Sequence, residues 1–328
     1  MEFSQVMLEA VATDENFDEA GYLRANPDVA AAVNIHFHSG RHHFETYGAK
    51  ERRKIRLSAD CIDPLKQQKL ERIRPFLRKD LACTERRLCF DFLTADIKSK
   101  YGIVDTDNVS ANEYHSGALE MIERNAAGLV LDCGAGMRPV YYSNVVNLEV
   151  VPYDTTDVVG TGQCLPFEDE TFDAVISLAV LEHVNDPFLC AREIERVLNP
   201  GGELYCGVPF LQPLHAYPNH YYNMTHAGLA NLFRGLEIRE QKVVRETLPI
   251  WGLTWILRNW AQGLEGVALE EFLNLRVAEL LGEPVDYLER GFVTGLSEEK
   301  NFELACATVL VAVKPGVQRL KPVPPIGS

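Results

Sequence analysis

No two of the eight cysteines stand in a Cys-x-x-Cys pair, so the usual sequence signal of a zinc site is missing. No apolar run approaches the roughly 20 residues of a membrane span, and no signal-peptide pattern is present. These absences predict a cytoplasmic chain with free thiols and no disulfides. Positive charge is also short: 32 Lys+Arg against 47 Asp+Glu give 32 − 47 = −15. That field repels nucleic acid and anionic bilayers, so neither is an expected partner. What is present is an ordinary apolar fraction, 46% of 328 residues, enough for one large domain and a small module.

Residues 1–56 read as that module, a small helical one. Asn26-Pro27-Asp28 stops one helix and restarts another, and Gly48 follows Phe44 and Tyr47 as a C-cap. The run from Phe17 to Ala30, with His43-Phe44 and Tyr47-Gly48 after it, resembles a short helical repeat met in bacterial surface proteins and beside glycan-assembly enzymes. His36, His38, His42 and His43 lack acidic or cysteine partners nearby, so they are expected on solvated loops and helix faces. Residues 57–111 read as a helical linker or lid. Asp63-Pro64 opens one helix towards Pro75, and Leu81, Leu88, Phe92 and Leu93 suggest another over Lys79–Lys100. Ser110-Ala-Asn-Glu113 has the form of a capping box, opening a helix to about Asn125.

From residue 112 to 314 the chain alternates strand and helix, which predicts an α/β fold with a doubly wound, mainly parallel sheet of seven strands. Gly-Leu-Val-Leu-Asp-Cys-Gly-Ala-Gly, starting at Gly128, is a short buried-strand pattern ending in a glycine turn. Further strands are expected at Val145–Val150, Val158-Val159, Ala174–Leu178 and Glu203–Val208, with a helix capped by Asp186-Pro187. Two late strands are expected at Leu236–Glu246 and Phe302–Val313, separated by a helical insertion over 251–297. The proline-rich tail 315–328 reads as loose.

Leu-Asp-Cys-Gly-Ala-Gly at 131–136, Leu-Pro-Phe-Glu-Asp-Glu-Thr-Phe-Asp at 165–173, Ser-Leu-Ala-Val-Leu-Glu-His-Val at 177–184 and Arg-Val-Leu-Asn-Pro-Gly-Gly at 196–202 occur in register. Together they resemble the class I S-adenosylmethionine-dependent methyltransferases, type 11 group, across about residues 112–313. The resemblance implies S-adenosylmethionine as cofactor. It also implies a cofactor-binding set of Asp132, Gly134, Ala135, Gly136, Glu149, Val150, Gln163, Cys164, Leu165, Leu178 and Ala179. Glu149 would take the ribose diol, because a carboxylate offers two acceptor oxygens; Leu165 and Phe167 would flank the adenine. Two departures stand out. Arg138-Pro139 occupies the usual third-glycine position, and Thr161-Gly162-Gln163 replaces the acidic residue that reads the adenine amino group.

The segment Pro209–His226 holds three histidines and three tyrosines after the fifth strand. Histidine can remove a hydroxyl proton near neutral pH, so His215 and His220 are candidate catalytic residues, with His183 of the Glu182-His183 pair as a third. Tyr217, Tyr221, Tyr222 and Trp251 are candidate acceptor-binding residues. Methyl transfer needs no metal, and none is expected. The expected activity is methylation of a hydroxyl on a glycan or small molecule. The alternatives are N-methylation of an amino sugar or small amine, and a non-catalytic scaffold that keeps the fold. A homodimer through the insertion or the N-terminal module is a further expectation.

Overall fold

The computed structural model describes residues 3–306 apart from 87, 107–110, 112 and 216–218. It divides into two compact units, Met1–Trp251 and Gly252–Ser328.

The chain opens with β1 (Gln5–Met7) and β2 (Glu9–Val11), then α1 (Glu19–Ala25), α2 (Pro27–Ala32), α3 (Gly40–His43) and β3 (Lys54–Arg56). Asp18 caps α1 by accepting from the Gly21 N–H, and Pro27 restarts the helix as expected. The first 56 residues are not purely helical, however. β2 pairs antiparallel with β3, while β1 pairs with β7 (Val140–Tyr142) far along the chain. Three-residue strands carry too little alternation to be legible. His43 is also not solvated: it is buried, its Nδ1 2.9 Å from the Tyr22 hydroxyl. Gly48 is required for packing, since a Cβ there would lie 2.0 Å from that same hydroxyl.

Next come α4 (Asp63–Ile73), β4 (Thr84–Arg86), β5 (Cys89–Asp91), α5 (Ala95–Tyr101), α6 (Ser116–Arg124), β6 (Val130–Cys133), β7, β8 (Val145–Glu149), β9 (Val158–Val159) and β10 (Phe172–Leu178). They continue with α7 (Pro187–Val197), β11 (Leu198–Gly207) and α8 (His226–Leu232). The helix expected over Lys79–Lys100 is replaced by the β4–β5 hairpin, and only α5 at its end is helical. Leu88 turns the hairpin with φ +90, and Phe90 is buried between half-buried neighbours, a period of two where the leucines suggested a helix. α6 starts at Ser116 with no side-chain cap, so Glu113 precedes the helix, and Ser110 lies outside the described residues.

The main sheet has seven strands in the order β11-β10-β6-β8-β9-β5-β4, parallel except for the β4–β5 pair. The number is as expected; the membership is not. Residues 236–244 form no strand and are mostly exposed, and Phe302 lies in α12 (Glu298–Leu304). Residues 307–313 of that expected strand lie outside the described residues. β4 and β5 supply the edge instead, β5 pairing with β9 through Phe90↔Val158 and Asp91↔Val159.

Both faces of the sheet are covered, as a doubly wound fold requires. Leu131, Cys133 and Val175 point into one core with Ala191, Ile194 and Val197 of α7. Val130, Ala174 and Ile176 point into the other with Ala118, Met121 and Ile122 of α6. Asp186 caps α7 by accepting from Leu189 N–H at 2.9 Å, and Pro187 fits the first turn. Replacing Ile194 with Ala would cost about 2–5 kcal/mol by opening a cavity at this seam.

A buried ion pair fastens α4 to the sheet. Lys69 Nζ stands 2.9 Å from Asp157 Oδ2 and 3.6 Å over the Tyr141 ring, with both charged side chains wholly enclosed. Tyr141 and the Asn147 N–H also donate to Asp157, so the carboxylate is fully engaged.

In the second unit, Leu264, Phe272, Phe292 and Leu296 form a core, with Trp260 stacked on Phe272 at 5.9 Å. The helical character expected of residues 251–297 is present in α9 (Pro249–Gln262), α10 (Gly266–Leu273) and α11 (Gly291–Thr294). No helix among the described residues is long and apolar enough to cross a membrane.

Candidate functional site

The strand order reverses at β6, with β8 on one side and β10 on the other. In an open α/β sheet a ligand crevice forms at the carboxyl ends of the strands around such a point. The residues there are Asp132–Gly136 at the end of β6, Glu149-Val150 at the end of β8 and Leu178–His183 at the end of β10.

Asp132 is fully buried. Its Oδ2 accepts from Arg138 Nε at 2.8 Å and from the Tyr114 hydroxyl, and the guanidinium lies 3.9 Å over the Tyr114 ring. Arg138 is itself only 2% exposed. The residue in the third-glycine position therefore forms an internal ion pair with the end of β6. The other oxygen, Asp132 Oδ1, is buried with no donor. An acceptor left so is costly unless a ligand supplies the donor.

Gly134 and Gly136 have φ of +84 and +63, which Cβ-bearing residues rarely adopt. At Gly134 the missing Cβ leaves room for Val180, whose Cγ2 would lie 2.4 Å from it. The missing Cβ there lets two strand ends pack together. Glu149 closes the turn: Oε2 accepts from Gly136 N–H at 2.8 Å and Oε1 from Val150 N–H at 2.7 Å. Burial pushes its pKa up, and those backbone donors hold it partly back. Beside it, Val150, Val151 and Pro152 face Ile103–Thr106 across a small depression.

Ala135 is buried and Ala179 is exposed, in a left-handed conformation with φ +55. Gln163 is buried and donates to Asn185 Oδ1 at 2.6 Å; Cys164 is half-buried. Leu165 and Phe167 are wholly enclosed in the sheet–α7 core. Glu193 accepts from Leu165 N–H, and Arg196 donates to the Leu165 and Phe167 carbonyls. Leu178 is half-buried at the end of β10.

The three candidate histidines meet. Ring centroids are 5.0 Å apart for His183–His215, 5.5 Å for His183–His220 and 4.2 Å for His215–His220. Desolvation lowers the His183 pKa and takes that of His215 down to about 4, so both rings are neutral at pH 7. Glu182 beside them is fully buried with neither carboxylate oxygen bonded, and burial pushes its pKa up to about 8. Sequence reasoning passed over its carboxylate, because a buried acid without a partner leaves no local signature.

Tyr221 and Tyr222 are exposed, and their hydroxyls donate to Asn219 Oδ1 and the Asn185 carbonyl. Their own N–H groups donate to the Glu182 carbonyl, pinning this loop to the turn after β10. Trp251 is exposed, with Nε1 donating to the Arg245 carbonyl. Tyr217 lies outside the described residues. Tyr114 was missed, having no motif to mark it.

Residues 117–206 match the family described as "Methyltransferase domain". That stretch carries the glycine turn, both neighbours of β6 in the sheet, and α7. Among curated relatives, an uncharacterized methyltransferase of Schizosaccharomyces pombe is 42% identical over 57 residues, 17% of this chain and 20% of its own. The ubiquinone/menaquinone biosynthesis C-methyltransferase UbiE of Pasteurella multocida is 35% identical over 96 residues, 28% of this chain and 35% of that one. The chain thus spans well under half of both. A solved SAM-dependent methyltransferase of Thermotoga maritima is 19% identical with a TM-score of 0.28, covering 36% of this chain and 69% of that one.

The residues at the crevice fit S-adenosylmethionine. The donorless Asp132 Oδ1 suits an ammonium group, the glycine turn offers backbone, and Glu149 offers carboxylate oxygens at the rim. Nothing at this turn resembles the adenine-reading acid, and Leu165 lies behind the surface rather than on it.

Proposed function

We propose that this chain is an S-adenosylmethionine-dependent methyltransferase acting on a hydroxyl of a small molecule or glycan. The observation that carries the reading is Glu149 closing the glycine turn beside a buried Asp132 with one free oxygen, within a stretch that matches the methyltransferase domain. Bound cofactor supplies a sulfonium-activated methyl group for in-line displacement.

The chain's own work is positioning and proton handling. Asp132 Oδ1 takes the ammonium group and Glu149 the ribose hydroxyls, with Val150 alongside. Arg138 and Tyr114 hold the Asp132 carboxylate fixed in direction. A neutral His183 or His215 accepts the acceptor's proton, which favours a hydroxyl over an amine already able to attack. His220 orients His215 by accepting from its N–H at 3.2 Å. Tyr221, Tyr222 and Trp251 contribute exposed aromatic surface for a polar, ring-bearing acceptor. The glycan preference comes from the likeness of the Phe17–Gly48 stretch to a repeat found beside glycan-assembly enzymes, and from the aromatic, polar loop after β11.

One arrangement favours a second reading. Arg138 already satisfies half of Asp132, as a scaffold that no longer binds cofactor would require. Calorimetric titration with S-adenosylmethionine separates the two: saturable binding supports the enzyme, and none at millimolar cofactor supports the scaffold. A metabolite that gains one methylene mass when incubated with enzyme and cofactor would then identify the acceptor.

A further inference from the structure

Glu182, His183 and His215 converge on one point. Each offers one ligand atom, and these atoms lie within 4.8 Å of one another. Glu182 is wholly enclosed, and neither of its carboxylate oxygens has a donor. Its Oε1 is 3.8 Å from His183 Nε2, beyond hydrogen-bond reach. A carboxylate buried this way calls for a proton or a cation.

The imidazoles point to the cation. His183 Nδ1 faces the Asn219 carbonyl at 2.7 Å, and His215 Nδ1 faces the Pro213 carbonyl at 3.1 Å. A carbonyl only accepts, so each Nδ1 carries the proton and each Nε2 keeps its lone pair. Backbone carbonyls fix the tautomer of metal-bound histidines in this way. His220 differs. Its Nδ1 accepts from His215 N–H and its Nε2 faces Asn223 Oδ1 at 3.0 Å, so both nitrogens are in use.

We propose that Glu182, His183 and His215 bind a divalent transition-metal ion of the zinc class through one carboxylate oxygen and two imidazole nitrogens. Two nitrogens and one oxygen suit zinc or a neighbouring first-row ion and do not suit magnesium or calcium, which prefer all-oxygen sites. Ligands about 2.0–2.2 Å from zinc stand about 3.3–3.6 Å apart in a tetrahedron. The cluster reaches that spacing by side-chain shifts of about 1 Å. Three protein ligands leave a fourth position open, as in zinc sites that take water or substrate. With the ion bound both Nε2 lone pairs are ligands, so neither ring serves as base; the ion instead lowers the pKa of a coordinated hydroxyl, which gives its proton to solvent. Its use on an acceptor oxygen rests on the methyl-transfer reading; the binding itself does not.

The test uses full-length protein without a histidine tag, stripped with chelator. It is titrated with Zn2+ by calorimetry and with Co2+ by visible absorption, with Mg2+ as the hard-cation control. One Zn2+ per chain, Co2+ bands of a low-coordinate site and no Mg2+ uptake at millimolar concentration are expected. Glu182→Gln and His215→Ala should each weaken Zn2+ binding by about 100-fold or more. Should Glu182→Gln fail to fold, His215→Ala, on the loop after β11, still decides. No Zn2+ uptake overturns the proposal. So does unchanged uptake by His215→Ala, which would assign the ion to the N-terminal pair His38 and His42, 5.3 Å apart. Parallel titration with S-adenosylmethionine keeps the two readings apart: cofactor binding without Zn2+ binding removes only the metal site, and the converse removes only the transferase.

Discussion

Arg138 Nε stands 2.8 Å from Asp132 Oδ2, and both side chains are closed to solvent. Removing one member of a buried pair strands the other, at a cost of about 3–5 kcal/mol. Arg138→Met should therefore lose that much in denaturant unfolding. The double variant with Asp132→Asn should recover a large part, because the stranded charge is gone. Equal stability of Arg138→Met and the parent would show that the pair contributes nothing to the fold.

Gly134 makes a sharper steric prediction. Its φ of +84 strains any side chain, and the Cβ of Gly134→Ala would press on Val180. The loss should be about 1–3 kcal/mol. Adding Val180→Ala should relieve the contact but not the backbone strain, so thermal unfolding of the double variant should fall between the two. Full recovery would leave the left-handed backbone without a cost.

On the proposed reading, the Glu149 carboxyl should give cofactor binding a pH dependence. Burial raises its pKa, so on acidification it takes up a proton sooner than a free carboxyl. The charged form is the one that accepts from a diol, so affinity for S-adenosylmethionine should fall as pH drops towards that value and stay level above it. The folding sign is opposite. The folded state holds this proton more tightly, so the contribution favours folding in acid and is lost as pH rises through the folded pKa. Glu149→Gln should bind about 10- to 100-fold more weakly, by loss of a charge-assisted bond, and lack the acid limb. Calorimetry across pH would read both.

Thiol labelling checks the burial map. Cys61, Cys83 and Cys306 are exposed, Cys133 and Cys190 are buried, and burial pushes Cys89 up to about 11 and Cys206 well above the ordinary thiol value. The thiolate is the nucleophile, so native protein at pH 8 should alkylate fastest at Cys61, Cys83 and Cys306. Cys133 and Cys190 should react only on unfolding, and the half-buried Cys89 and Cys206 slowly. Mass spectrometry of native digests would show fast labelling at Cys133 if β6 were open.

The long apolar runs were legible. β6, β8 and β10 lie within a residue or two of where Leu129–Asp132, Val145–Val150 and Ala174–Leu178 place them, and α7 begins at its Asp186-Pro187 cap. Fully buried strands and capped helices write themselves into local composition. The β4–β5 edge does not. Thr84, Glu85 and Arg86 are exposed, so no apolar alternation marks β4, and the nearby leucines mimic a helical stripe. The site was legible by halves. The glycine turn and Glu149 follow from spacing along adjacent strands, and the loop histidines from their density. Glu182 comes near His215, and Tyr114 meets Asp132, only through the fold, which no local pattern encodes.

The hairpin of β4 and β5 has a practical consequence for anyone cutting the chain. A fragment trimmed to the 117–206 match would leave β9 with its outer hydrogen-bonding edge bare and Val158-Val159 uncovered. Open edges of that kind recruit strands from other molecules. A shortened version should thus gather into aggregates, while one that keeps residues 57–106 should stay dispersed.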